Sequence, residues 1–564
     1  MKSVYLSGVE TQLQSKTHVP VAKVIKGREK DMIKNPDGAF VFKIDDMAFL
    51  DRFLIMGAAT GSIGRNVKIA KESAKLAIDM IAKDPFKVIT RVYELNAARR
   101  VFTKEPSLLV LALAMCHMYN TNIESRRLAS NTAAEICNTP YDISRLAEFY
   151  KEVAGNKGFM LTQCIQRWFS IRNPAKVAYQ GVKYRSRNGW TPGDLLRVSH
   201  PKPEDEPMSL AMAYLTSPKS ERGRIAAEAF DIFRDFEAAM SCTNVKDLLV
   251  IMKRNPQITW EMIPTNFLNE FAVWNLLVDN IPMTALVRNL SRFAANDFFK
   301  NNTFKKKVID KLESKEYVTR GGMHPFKVYL ARYTFARGRG ASSTWRPDRD
   351  VAAALDEAFK FSFDNLKPIN GRFLIGIDSS ASMTWDSSRI LGGEGPVARE
   401  FASVLAYILA RANNFNVDVG GFTARASVLR SYGTASGRYA KLYNEEGFTL
   451  LDLEWKNMHH ISNEIQKITA GSTNCGAPVL HALRTKEAYD GIIIITDNDI
   501  NMGDHPVPLM AKYRSSIKPG AKMVVITTQV CNYSVADPRD PLMLDVVGVD
   551  ASGPEIVLDF IANH

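Results

Sequence analysis

Two patterns of apolar positions divide this chain of 564 residues. From Asp46 onward, apolar residues recur at three- and four-residue spacing in 70–82, 106–118, 126–137, 143–153, 222–240, 245–253, 267–277, 284–293 and 324–336. Pro or Asn stands between these segments. The spacing predicts a series of amphipathic helices, and serial helical hairpins stack as an α-solenoid even without a strict repeat. Past residue 360 the pattern changes to short runs that are apolar throughout, Phe373-Leu-Ile-Gly-Ile377 and Gly491-Ile-Ile-Ile-Ile-Thr496. Such runs read as strands of a parallel sheet buried on both faces. Earlier, Pro36-Asp-Gly38 predicts a turn ahead of a short strand over 39–44. The expected architecture is α plus α/β: a helical-repeat domain over 1–362 and a doubly wound α/β domain over 363–564.

The two apolar runs end on polar residues. The first leads into Asp378, Ser380 and Ser382, at alternate positions of one loop, and the second into Asp497. Between them, Gly471-Ser-Thr473-Asn-Cys-Gly is a small-residue turn that offers a third hydroxyl. In an open α/β sheet, ligands bind at the carboxyl ends of the strands, where these loops fall. Two carboxylates and three hydroxyls are hard oxygen donors, which suit Mg²⁺ or Mn²⁺ and do not suit zinc. Helix capping explains each residue singly. It does not explain the five together. Asp-x-Ser-x-Ser, then Thr, then Asp resembles the metal-ion-dependent adhesion site of von Willebrand factor A-like domains.

Charge changes the picture for the first part of the chain. The net charge is +13, and it is unevenly shared. Residues 1–350 carry 54 Lys and Arg against 36 Asp and Glu, a balance of +18, whereas 351–564 carry 19 against 24, a balance of −5. The excess suggests an anionic partner for the first part, although basic surfaces also serve solubility. Residues 151–200 are densest, with nine basic side chains against two acidic. There Lys183, Arg185 and Arg187 alternate with Tyr184 and Trp190, and His200 follows. Cations that pair with phosphates, interleaved with rings that stack on unpaired bases, make this the candidate RNA-binding stretch. The bland alternative is that Trp190 packs the next helix and the arginines cap it.

The six cysteines form no C-x-x-C pair, which argues against zinc and disulfides and fits a reducing cytoplasm. The first thirty residues lack an apolar leader stretch, and the run 108–118 is too short to span a bilayer. A cytoplasmic protein without a membrane partner is expected.

Longer segments carry a family resemblance. Asn188-Gly-Trp-Thr-Pro-Gly-Asp-Leu-Leu-Arg-Val-Ser-His200-Pro-Lys-Pro and Ile281-Pro-Met-Thr-Ala-Leu-Val-Arg288-Asn-Leu are similar to signature segments of the Ro autoantigen family, the TROVE-domain proteins. So are His324-Pro-Phe, Gly338-Arg-Gly, Trp345-Arg-Pro-Asp and Ala354-Leu-Asp-Glu-Ala-Phe near the domain junction, and Val535-Ala-Asp-Pro with Met543-Leu-Asp-Val-Val-Gly toward the end. The resemblance implies a ring of HEAT-like helical repeats closed by the von Willebrand A-like domain. It implies binding without catalysis. Y-like small noncoding RNA would lie on the outer basic surface, and single-stranded 3′ ends of misfolded or defective RNA would enter a central hole. The protein would be monomeric in a ribonucleoprotein, with a role in RNA quality control or as an adaptor to an exoribonuclease such as polynucleotide phosphorylase. Lys183, Arg187 and His200 match the family's outer-surface contacts. Asp378, Ser380, Ser382, Thr473 and Asp497 match its metal ligands. One departure stands out: the family has Asp directly after the loop threonine, where this chain has Asn474, and a lost carboxylate predicts weaker Mg²⁺ binding.

Three rival readings weigh less. A nuclease would need clustered carboxylates such as Asp378, Asp497 and Asp499 around metal, and would leave Ser380 and Ser382 without a role. A haloacid-type phosphotransferase needs an aspartate where Ser380 stands. A metal-dependent protein-interaction scaffold that binds no RNA has no use for the basic stretch around Lys183.

Overall fold

The computed structural model describes residues 19–56, 71–98, 100–101, 103–156, 158–185, 189–340, 343–366, 370–385, 388–389, 395–423, 447–451, 453, 459–468, 471–529, 531–547, 556–557 and 560–561. They fall into two compact units. One comprises residues 71–323 and 334–358; the other comprises 19–56, 324–333 and the described residues from 359 onward.

The first unit is helical, and its helices begin where local chemistry starts them. Asp84, Asn122, Thr139, Asn173, Thr191, Asp205, Asn244, Asn301 and Ser314 each accept a backbone N–H at a helix N-terminus. Proline occupies the first turn after Asp84, Thr139, Asn173, Thr191 and Asp205, where its missing N–H is not needed. Thr139 with Asp142, and Thr191 with Asp194, close capping boxes; each such cap is worth about 1 kcal/mol. Helix Glu105–Met115 is buried from Pro106 to Met115, as its unbroken apolar run predicts. The periodic segment 222–240 proves to be two helices, Lys219–Glu228 and Asp231–Ser241. Phe230 between them is extended (φ −125°, ψ 137°), a break that apolar periodicity does not register.

The second unit holds two sheets. Strands β1 (Met32–Lys34) and β2 (Phe40–Lys43) form a hairpin. Then come β3 (Phe373–Asp378), β4 (Val417–Phe422), β5 (Phe448–Leu450), β6 (Gly491–Thr496), β7 (Lys522–Thr527), β8 (Tyr533–Ser534) and β9 (Met543–Val547). The large sheet has the order β5-β4-β3-β6-β7-β9 and is parallel apart from β5. Every residue of β3, β6 and β7 is buried, so both faces are covered. Helix Ala477–Thr485 packs on β3 so closely that a Cβ on Gly376 would stand 2.6 Å from Pro478. From β3 the chain runs outward to β4 on one side and later returns to β6 on the other, which makes the β3–β6 carboxyl ends a topological switch point.

Residues near the start of the chain pack with the α/β unit. The hairpin β1–β2 extends to β8 as a three-stranded antiparallel sheet, with Phe42 opposite Ser534. Val21, Ala39 and Val41 join the same apolar core as Leu374, Ile492 and Val525. Early residues therefore complete the α/β unit, a pairing across almost the whole sequence that no local pattern signals. Among the described residues no helix is long and apolar enough to cross a membrane.

Candidate functional site

At the switch point, β3 ends on Asp378, which is fully buried. Its Oδ1 accepts the Ser380 N–H at 2.8 Å, and its Oδ2 accepts the Thr496 hydroxyl at 2.6 Å. The chain then curls into a short 3₁₀ turn, Ser382–Thr384, which sets the Ser380 and Ser382 hydroxyls 3.2 Å apart. Asp497 follows β6 directly and is 1% exposed. Its Oδ1 accepts the Asp499 N–H at 3.1 Å, while Oδ2 is buried with no hydrogen-bond partner among the described residues.

The third loop is tied to both. The Ala381 N–H donates to the Gly471 carbonyl at 3.0 Å. Thr473, itself buried, donates its N–H to Asn501 Oδ1 at 2.9 Å and accepts the Asn501 and Met502 N–H groups at 3.2 and 3.1 Å. Thus Asp378, Ser380, Ser382, Thr473 and Asp497, spread over 120 residues of chain, lie on three interlocked loops at one end of the sheet.

Electrostatics gives the cluster its character. Burial pushes the Asp378 carboxyl up, the Asp497 charge adds to this, and hydrogen bonds from Thr496 and Ser380 oppose it. Burial raises Asp497 as well, against a hydrogen bond from Ser382. Two buried carboxylates, one of them raised by the charge of the other, and an orphaned carboxylate oxygen form with the hydroxyls a donor set that fits a small hard cation. Asp499 stands apart: it is pushed up to about 6 by burial and accepts the Tyr533 hydroxyl at 2.5 Å. Among the described residues no group of three or more His, Cys, Asp or Glu side chains converges as a metal site. Two supports escaped the sequence reading, Thr496 and Asn501. Thr496 was visible as the polar end of β6; Asn501 carried no signal.

The basic residues belong to the helical unit. Lys183 is the last residue of helix Pro174–Lys183; its Nζ is 3.9 Å from Glu261 Oε1 and lies over the Tyr179 and Tyr184 rings at 5.5 and 5.9 Å. The exposed Arg185 donates to the Glu261 carbonyl at 3.1 Å. Lys183 and Arg185 therefore meet at one residue. Arg187 lies outside the described residues. His200 terminates helix Pro192–Ser199 in a left-handed conformation (φ 47°), which turns the chain sharply into Pro201. It lines a separate depression of about 540 Å³ with Arg127, Arg167 and Lys202. Arg127 and Arg167 come from distant segments and are not singled out by sequence, whereas Lys202 belongs to the same His200-Pro-Lys-Pro segment.

Comparison with known proteins finds two family models along the chain. The family model of the TROVE domain matches residues 33–241 and 250–337, and that of the Ro60 vWA domain matches 372–561. The chain is 25% identical to RNA-binding protein RO60 of Caenorhabditis elegans, over 94% of this chain and 90% of that protein. It is 24% identical to RNA-binding protein RO60 of Deinococcus radiodurans, over 94% and 96%. Among solved structures, the crystal structure of the Deinococcus radiodurans RO (RSR) protein shares the fold, with a TM-score of 0.67 at 24% identity over 92% of this chain and 99% of that one. The TROVE match covers more than half of the chain and the vWA match covers the α/β region. The chain belongs to the Ro autoantigen family of TROVE-domain proteins.

Proposed function

We propose that this protein binds RNA without transforming it. Lys183, Arg185, Arg187 and His200 make phosphate and edge contacts to a structured, Y-like small RNA, and single-stranded ends of defective RNA enter the hole of the helical ring that the family resemblance implies. The observation that carries this reading is the depression beside His200. Arg127 and Arg167 come to it from two segments remote in sequence from His200, and Lys202 joins them from the turn just after it. Converging cations hold a phosphate backbone whatever its sequence, so shape does the selecting. The curated relatives, named as RNA-binding proteins, support it.

In the α/β unit we place Mg²⁺, or Mn²⁺, on Asp378, Ser380, Ser382, Thr473 and Asp497. The unpaired Asp497 Oδ2 supports this, because a buried carboxylate oxygen without a partner is stabilised by a cation. When bound, the ion supplies charge neutralisation and an open position that an acidic group of a partner protein can occupy. The setting we propose is cytoplasmic: a protein monomer in a ribonucleoprotein, handing RNA to an exoribonuclease such as polynucleotide phosphorylase.

The test is RNA recovered from natively purified protein, beside the variant Lys183→Ala/Arg187→Ala/His200→Ala. A discrete small RNA present with the parent and lost from the variant is expected. If both are free of RNA at low salt, the basic stretch is a solvated face and the scaffold reading replaces this one.

A further inference from the structure

A second cavity lies beside Lys183. Its volume is about 370 Å³, and its walls come from the end of helix Pro174–Lys183 and from helices Val245–Arg254, Phe271–Asn280 and Met283–Ala295. Three aromatic rings line it, those of Tyr179, Tyr184 and Trp260. Lys183, Lys253 and Arg288 bring positive charge, with Lys253 and Arg288 exposed. One acid lines it, Glu261. Its Oε1 is 3.9 Å from Lys183 Nζ, too long for a hydrogen bond, and its Oε2 is buried with no partner among the described residues. The Thr259 hydroxyl, in the same lining, is equally without a partner.

Buried polar atoms are normally paired, so two orphans in one cavity lining point to a ligand that pairs them. Aromatic rings offer stacking faces to any base. The carboxylate narrows the choice. It accepts hydrogen bonds only, and it accepts two at once when donors lie side by side. Among the RNA bases guanine alone presents such a pair, N1–H and the N2 amino group, on its Watson–Crick edge. A carboxylate facing the acceptors of uracil would be repelled. Cytosine and adenine offer one amino group flanked by an acceptor.

We propose that this cavity receives a single guanine nucleotide. Its base stacks among Tyr179, Tyr184 and Trp260, Glu261 accepts from N1–H and N2, and Lys253 and Arg288 meet the phosphate. As a source of that nucleotide, an unstacked residue of bound RNA rests on the RNA-binding reading of the Lys183 surface; a free nucleotide shares the chemistry and does not.

The experiment uses the full chain and measures GMP, AMP, CMP and UMP by equilibrium dialysis. In parallel it measures a fully paired RNA stem, and the same stem with one guanine or one adenine bulge, by filter binding. A preference for guanine of at least about tenfold is expected, as for sites whose polar groups only the right ligand satisfies. Glu261→Gln should abolish it and leave paired-stem affinity undiminished, since it removes a negative charge beside Lys183. Ala285→Trp, which fills the cavity from helix Met283–Ala295, should abolish binding of all nucleotides there. A preference in the bulged stem alone identifies RNA as the source and supports the proposal. Selective GMP binding without stem binding also supports it, and removes the RNA reading instead. Equal affinity for the four nucleotides with no preference between bulges overturns it, as does a guanine preference that survives Glu261→Gln.

Discussion

Asn474 shows what an amide keeps and what it gives up. Its Oδ1 accepts the Gly476 N–H at 3.2 Å, at the entry to helix Ala477–Thr485, as a carboxylate would. It sits so close to Gly503 (φ +82°) that a Cβ there would come within 2.1 Å of it. The Asp that the family resemblance implies here would make the same contact, and what the amide lacks is the charge. Asn474→Asp is expected to tighten Mg²⁺ binding by roughly three- to tenfold, because hard-cation affinity rises with ligand charge. Titration calorimetry on the full chain checks this; an unchanged affinity would mean the position only shapes the loop. His505 supplies a pH effect. Burial lowers it from 6.5 to about 4, against a hydrogen bond to the Lys23 backbone and the Asp504 charge. The unfolded chain thus binds the proton more readily than the folded one below pH 6.5. The stability that neutral His505 contributes is complete above that pH and is lost as pH falls toward about 4, at about 1.4 kcal/mol per pKa unit. Denaturation midpoints between pH 7 and 4 should show this slope, and His505→Gln should flatten it. Equal slopes would remove the assignment.

At the scale of elements, helix Asp46–Met56 shows how the early residues are held. Arg52, 3% exposed, reaches Asp545 of β9 at 2.5 Å and donates to the Cys531 and Tyr533 carbonyls. Removing the cation leaves a buried carboxylate uncompensated. Arg52→Met should therefore lower stability by about 3–5 kcal/mol, read as a fall in the thermal or urea midpoint. A loss under about 1 kcal/mol would mean that water replaces the arginine. Arg52 looks like an ordinary surface residue in the sequence, because its partner lies almost five hundred positions away. By contrast β6 was legible to the residue, since a run of four isoleucines between Gly491 and Thr496 suits little but a doubly covered strand. The helices between 105 and 154 were legible to within about three residues, through their apolar period and the Pro or Asn between them. The break at Phe230 was not, because it interrupts the backbone without interrupting the apolar spacing.

For the whole molecule, the basic excess of the first 350 residues predicts how RNA binding responds to salt. The logarithm of the affinity should fall linearly with the logarithm of salt concentration, with a slope of about 0.9 per phosphate contacted on a duplex. Lys183→Ala should reduce that slope by about one while weakening different RNA sequences alike. A parent slope near zero would place the excess charge away from the RNA. Residue types and their local periods depend on a few neighbours, and they alone determined the two classes of element, the charge asymmetry and the five oxygen donors. Tertiary structure decided the rest. It joined residues 19–56 to the α/β unit, brought Arg127 and Arg167 to His200, and left Asp497 Oδ2 and Glu261 Oε2 buried without partners among the described residues. Convergence, burial and pairing depend on contacts between positions far apart in the chain, and no local pattern encodes those.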